Sequence, residues 1–314
     1  MTTTELRPAP PSTPERPAPA KRRVGVAQRC ETALGWATPR SSPGGTIGRI
    51  LLCAAAFLLF CGPLITVVSG AFDFSPDPTK LSLLPNEPSM VNFDKATEKG
   101  IWDYLLNSLV IAGGGLLLQV SVSVFAAYAL ARKKFRGQAI VMLAVLTTMM
   151  LPEEVIAIPL SLVIGDLPVL GISLKGTLLG VILPLGAWGF SIFVMTEFMR
   201  EIPLELEEAA RVDGAGEFRV FAQIVVPLCR PALGVIAVFG FTMIWDQYLL
   251  PLIVATDPGD YTLTVALATL RSDEMVGPGV VLAGALLALV PSLVVYLSLQ
   301  KSFLRGITSG AVKG

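Results

Sequence analysis

Six long apolar blocks set the pattern of this chain. They cover about residues 50–68, 105–131, 139–158, 177–199, 232–255 and 280–299. Each holds about the 20 residues that a helix, rising ~1.5 Å per residue, needs to cross a hydrocarbon core. None alternates apolar and polar positions as a barrel strand does. Only helices and closed barrels satisfy every backbone group in lipid. The pattern therefore predicts an all-α membrane protein with six transmembrane helices. The third block contains Leu151-Pro152-Glu153-Glu154 and is predicted to break there. The first block has Arg49 before it and Ser69-Gly70-Ala71 after it, as a cleavable leader would. The long stretch ahead of it and the series of later spans argue that it is retained.

Composition agrees with this pattern. Of 314 residues, 53% are hydrophobic and 15% charged, against roughly 25% charged in a soluble domain. The chain has no histidine, which excludes a Ser-His-Asp triad and an HExxH zinc site. Cys30, Cys53, Cys61 and Cys229 form no C-x-x-C pair, so neither a zinc site nor a disulfide framework is indicated. The formal charge is zero and no basic patch suits nucleic acid.

Residues 1–46 differ from the rest. Eight prolines fall there, six of them in the first 20 residues. Such a segment buries too little apolar surface to offset its ordering entropy, so a disordered cytoplasmic tail is expected, followed by a six-helix domain over 47–314. Lys21-Arg22-Arg23 could touch anionic headgroups or act as a solvated tail, and an amphipathic helix over 24–36 is a further option. Of the 24 Lys and Arg, 19 lie in the tail, the 132–136 and 200–230 loops and the C-terminal end. The positive-inside rule then places both termini in the cytoplasm of a multi-pass plasma-membrane protein. The opposite loops, near 70–104, 160–176 and 256–279, are too short to form a receptor domain, so capture of a solute would fall to another chain.

The 200–230 loop carries the clearest signals. Pro203 suits a first helical turn. Glu205, Glu207 and Glu208 follow where the helix dipole favours negative charge. Gly214 and Gly216 can stop the helix. A second short helix is predicted over 217–226, ending at Pro227. Leu204, Leu206, Ala209 and Ala210 are left as a contact surface. The same features also describe an ordinary amphipathic helix lying in the membrane interface.

Spacing separates these readings. Glu208-Ala209-Ala210, three residues, Gly214, nine residues, then Ile224-Val225-Val226-Pro227 resembles the loop pattern E-A-A-x3-G-x9-I-x-L-P of ABC importer permeases. Val226 replaces the usual leucine. The resemblance runs over about residues 49–314. Asn107-Ser108, Ala127-Tyr128-Ala129, Ile182-Leu183-Pro184, Trp245 and the end Gly306–Gly314 look like the carbohydrate-uptake branch, most similar to its MalG-like partner of a two-permease importer. The proline-rich tail lies outside the family pattern.

The resemblance implies a type I importer fold and a coupling helix that docks in a cleft of a partner ATPase. Glu208, Ala209, Ala210, Asp213, Gly214 and Pro227 would be the ATPase-coupling residues. Glu208 would accept hydrogen bonds or pair with a basic group at the joint, and Gly214 would allow the sharp turn. The implied partners are a second permease subunit, two ATPase subunits that bind ATP and Mg, and an extracytoplasmic substrate-binding protein. This chain has no G-x-x-x-x-G-K-[ST], so no catalytic residues and no cofactor are assigned to it. Gly113-Gly114-Gly115 lies inside a span, where glycines permit close helix packing.

Polar residues at membrane depth mark the expected substrate pathway. Asp246 lies in Trp245-Asp246-Gln247-Tyr248, about 22 Å from the start of span five at ~1.5 Å per residue. These four residues could bind a sugar or form a headgroup-level aromatic belt. Glu154, beside Glu153, could line an outer mouth or face water at a helix end. Gln119, with Ser121 and Ser123, could face a cavity or bond between helices. Glu197 and Arg200 are expected to form a structural pair.

The sequence therefore indicates a permease that moves a sugar or related polyol by alternating access. The competing readings are a secondary carrier, a non-transporting scaffold and an intramembrane enzyme. A secondary carrier would be expected to show related halves, and none are evident. An intramembrane enzyme would need facing carboxylates, and Glu153 and Glu154 are adjacent.

Overall fold

Proline placement and helix length organise the structure, a computed structural model that describes residues 43–74, 84–168, 171–273 and 275–311. Residues 1–42 of the tail expected over 1–46, and the option of a helix over 24–36, lie outside the described residues, while residues 43–46 are already helical. The described residues are helical apart from turns, short connections and one isolated antiparallel bridge between Asp73 and Pro88. Two compact units divide after Leu58. The described part of the first is the N-terminal half of helix α1 (Pro43–Ala71), with exposed side chains from Ile47 onward.

In the second unit, α2 (Val91–Glu98) precedes the long α3 (Ile101–Arg132). Then come α4 (Gln138–Thr148), α5 (Glu153–Gly165), α6 (Leu178–Leu185) and α7 (Gly189–Arg200). Two short helices follow: α8 (Leu204–Val212) and α9 (Glu217–Leu228). The chain ends with α10 (Arg230–Trp245), α11 (Leu249–Val254), α12 (Leu263–Ser272) and α13 (Pro278–Ala311).

Among the described residues, four helical stretches are long and apolar enough to cross a membrane, or up to six if each of two bent pairs, α4–α5 and α9–α10, makes one span. The α4–α5 pair bends by 108° at the expected Pro152, which has no N–H to donate and cannot continue the α4 ladder. Glu153 and Glu154 then occupy the first turn of α5, where the helix dipole favours carboxylates.

Two details differ from the sequence expectation. The block over 232–255 is not one helix: α10 stops at Trp245 and α11 restarts at Leu249. Pro251 is the physical reason, because its ring would collide with the carbonyl four residues back, at Gln247. The second loop helix also does not end at Pro227 but runs to Leu228 through a π-helical turn over Phe221–Val225. Such a turn absorbs a residue that cannot join the regular ladder.

Helix α3 is the central element, packed against α6, α7 and α10, while α10 also packs against α13. One apolar core joins Ile111 and Ala112 of α3 to Ile182, Leu185, Ile244 and Leu263. A second core joins Val124 and Ala127 to Met195, Met199, Val220 and Ile236. Small residues allow these approaches: a Cβ on Gly115 would sit 3.2 Å from Ile244. In lipid, such packing drives helix association more than water exclusion does.

Candidate functional site

Helix α8 begins after Pro203 and carries Glu205 and Glu207 in its first turn and Arg211 in its last, matching its dipole at both ends. Its C-terminus is a Schellman closure. The Ala215 N–H donates to the Ala210 carbonyl at 2.9 Å, and the Gly214 N–H donates to Arg211 at 3.0 Å. Gly214 has φ +83, a left-handed conformation that a Cβ makes costly. The motif glycine thus ends α8 and turns the chain toward α9.

One buried carboxylate fixes α8 to the bundle. Glu207 is 1% exposed and is the only buried side chain of α8. Its Oε1 lies 2.7 Å from Arg132 Nε, and its Oε2 lies 3.3 Å from Arg211 Nη2. The first contact is ionic, without hydrogen-bond alignment at Nε. Arg132 Nη2 also donates to the Ile202 carbonyl at 2.8 Å, where the chain enters α8. Lys133 pairs with Glu217 at the start of α9 and lies over the Tyr128 ring. Tyr128 meets Phe221 edge-on at 4.9 Å, and Phe125 stacks on Phe221 at 5.3 Å. The end of α3 therefore holds both loop helices.

The opposite face of the loop is open. Leu204, Leu206, Val212 and Phe218 are all exposed, Val212 at 88% and Phe218 at 75%. Glu208, Ala209 and Asp213 are exposed beside them, while Ala210 and Pro227 are half-buried. An exposed apolar surface with charged neighbours suits a protein partner.

A second feature lies where three spans break. A cavity of about 380 Å³ is lined by residues that include Met149, Glu153, Trp188, Met243, Gln247 and Leu250. Gln247 donates from Nε2 to Glu153 Oε2 at 3.3 Å, linking the α10–α11 break to the α4–α5 break. Its Oε1 is buried without a protein partner. The cavity can offer a polar solute one carboxylate, one amide and an indole face.

The predicted pathway residues separate in space. Gln247 lines the cavity. Asp246, Tyr248 and Glu154 are exposed outside its lining. Trp245 is 8% exposed and stacks on Phe241 at 5.4 Å. Gln119 is fully buried between α3 and α10, beside Gly240, and neither amide atom has a protein partner. Asn107 and Ser108 clasp the loop before α12. Asn107 donates to the Gly259 and Tyr261 carbonyls, and Ser108 Oγ accepts from Leu263 N–H.

Sequence reasoning did not assign roles to Arg132 or Trp188, and it placed Glu207 only as a dipole residue. Arg132 closes an apolar helix, but nothing local separates Glu207 from Glu205 and Glu208 beside it. Among the described residues, no group of three or more Cys, Asp or Glu converges as a metal site.

Residues 119–305 match the family described as "Binding-protein-dependent transport system inner membrane component". The chain is 30% identical to the arabinooligosaccharides transport system permease protein AraQ of Bacillus subtilis over 284 residues, covering 88% of this chain and 99% of that protein. It is 31% identical to the melibiose/raffinose/stachyose import permease protein MelC of Bacillus subtilis, covering 86% of this chain and 96% of that protein. A chain from the crystal structure of a bacterial ABC transporter involved in import of the acidic polysaccharide alginate superimposes with TM-score 0.70 and 23% identity, covering 85% of this chain and all of the other.

Proposed function

Because the chain belongs to the family of binding-protein-dependent transport system inner membrane components, we propose that it is the subunit through which a sugar or related polyol crosses the membrane, driven by a partner ATPase. It is a multi-pass membrane permease of an ABC importer and not itself an enzyme. The observation that carries the reading is α8: the Glu208-Ala209-Ala210…Gly214 helix is anchored from behind by Glu207, while its apolar face is exposed. A helix that displays Leu204, Leu206 and Val212 to solvent has a partner to meet.

In the proposed assembly, this chain pairs with a second permease subunit. Two ATPase copies bind ATP and Mg and grip the paired α8 helices. A substrate-binding protein delivers the cargo on the opposite side. ATP closes the ATPase dimer, the α8 helices approach each other and the permease opens outward; hydrolysis returns it to the inward state. The excess of Lys and Arg on the α8 side supports placing α8 and both termini in the cytoplasm. The names of AraQ and MelC support a carbohydrate cargo. Gln247 and Glu153, hydrogen-bonded across the broken spans, are the proposed polar contacts for passing hydroxyl groups.

Uptake by reconstituted vesicles tests this function. The purified complex is expected to accumulate labelled oligosaccharide only with ATP inside the vesicle and binding protein outside. Uptake driven by an ion gradient without ATP would overturn the reading.

A further inference from the structure

We propose that the Arg132–Glu207 ion pair is the mechanical joint that passes displacement of α8 into α3, and through α3 into the helices around the cavity. The inference rests on the reading of α8 as the ATPase-docking helix. It concerns what happens behind that helix.

Three observations carry it. First, α8 has one buried side chain, and that side chain is a carboxylate. A push on α8 reaches the bundle through Glu207, its one buried side chain, alongside the apolar contact of half-buried Ala210 with the second core. Second, a single guanidinium holds both the helix and its entry. Arg132 reaches Glu207 at 2.7 Å and the Ile202 carbonyl at 2.8 Å. The rigid donor fork of arginine fixes direction as well as distance. An apolar contact at this point would allow sliding, whereas a buried ion pair fixes register. Third, Arg132 is the last residue of α3. That helix packs along α6, α7 and α10, and the cavity is lined from their ends.

The nearby Lys133–Glu217 pair serves as a control. Its side chains are 43% and 55% exposed, so solvent screens it and it carries little force. Arg132 and Glu207 are thus positioning residues, since neither touches cargo or nucleotide.

The test uses the whole complex, purified through a tag on this chain, and measures cargo molecules moved per ATP hydrolysed. Glu207→Gln is expected to leave the ATPase co-purifying and to lower this ratio at least tenfold. Lys133→Ala is expected to change it less than twofold. The reciprocal exchange Arg132→Glu with Glu207→Arg is expected to recover a substantial part of the loss, which a generally damaged fold would not do. An unchanged ratio in Glu207→Gln would overturn the joint.

Should the variants fail to assemble, the otherwise unaltered complex still decides the question. Spin labels at the exposed positions Glu205 and Lys134 are expected to give one narrow distance that is the same with and without ATP. A distance that changes between the two states would show α8 moving independently of α3 and would overturn the proposal. Absence of an ATPase from the unaltered complex would instead refute the docking reading, and the joint with it.

Discussion

The joint between α3 and α8 and the cavity treat polar groups in opposite ways. At the joint, Glu207 and Arg132 are almost fully buried and paired, while the surface beside them is apolar and exposed. Around the cavity, polar groups are only partly enclosed: Glu153 is half-buried and Gln247 keeps a buried carbonyl without a protein partner. A buried, paired charge resists rearrangement, because separating the pair leaves an uncompensated ion. An amide with spare capacity can change partners as a hydroxylated solute passes. The comparison teaches that the joint is built to be gripped and the cavity to let go.

The largest expected effect comes from breaking the gripped joint. Arg132→Ala leaves the Glu207 carboxylate buried with only Arg211 nearby, and should destabilise the chain by about 3–5 kcal/mol, read by thermal unfolding in detergent. Next is Gly214→Val. A β-branched residue at φ +83 should cost roughly 1–2 kcal/mol and rotate α8 relative to α9. Helical content by circular dichroism should hold while ATP-dependent uptake falls more than tenfold.

Changes at the cavity should be smaller and different in kind. Gln247→Leu removes the amide bonded to Glu153. A lost hydrogen bond of about 1 kcal/mol corresponds to roughly a fivefold change in the cargo concentration for half-maximal uptake, with ATPase co-purification unchanged. Loss of co-purification would erase the distinction between the joint and the cavity.

Gln119→Leu should act in the stabilising direction. It replaces a fully buried amide without protein partners, and a gain of about 1 kcal/mol is expected in thermal unfolding.

The smallest effect lies in the loop clasped by Asn107. The Thr256 N–H, followed by the Asp257 N–H and the Thr256 hydroxyl, holds the Asp260 carboxyl below its ordinary value of 3.8. Because the folded value is the lower one, this contribution is present above about pH 3.8 and is lost as pH falls through the folded value. Asp260→Asn should therefore lower the unfolding temperature slightly at neutral pH, with the difference shrinking as acid is added.

These expectations draw unequally on what the sequence displays. The Pro152 break was legible because a proline without an N–H acts locally. So was the stop of α8 at Gly214, for the same kind of reason. The end of α10 was less legible: Pro251 acts on a carbonyl four residues back, inside an apolar run that reads as continuous. The Arg132–Glu207 pair was not legible. Nothing local marks one of several glutamates in α8 as buried, because its burial depends on where α3 ends in space. For the same reason Gln247 and Asp246, adjacent in sequence, part company once α10 stops between hydrogen-bonded turns.

Native mass spectrometry of the complex, extracted in mild detergent on a C-terminal tag, tests the central claim most directly. One copy of this chain with one different membrane subunit and two copies of an ATPase is the expected mass. A monomer or homodimer without ATPase, from a preparation that keeps a known importer intact, would contradict the assignment of α8 as a docking helix.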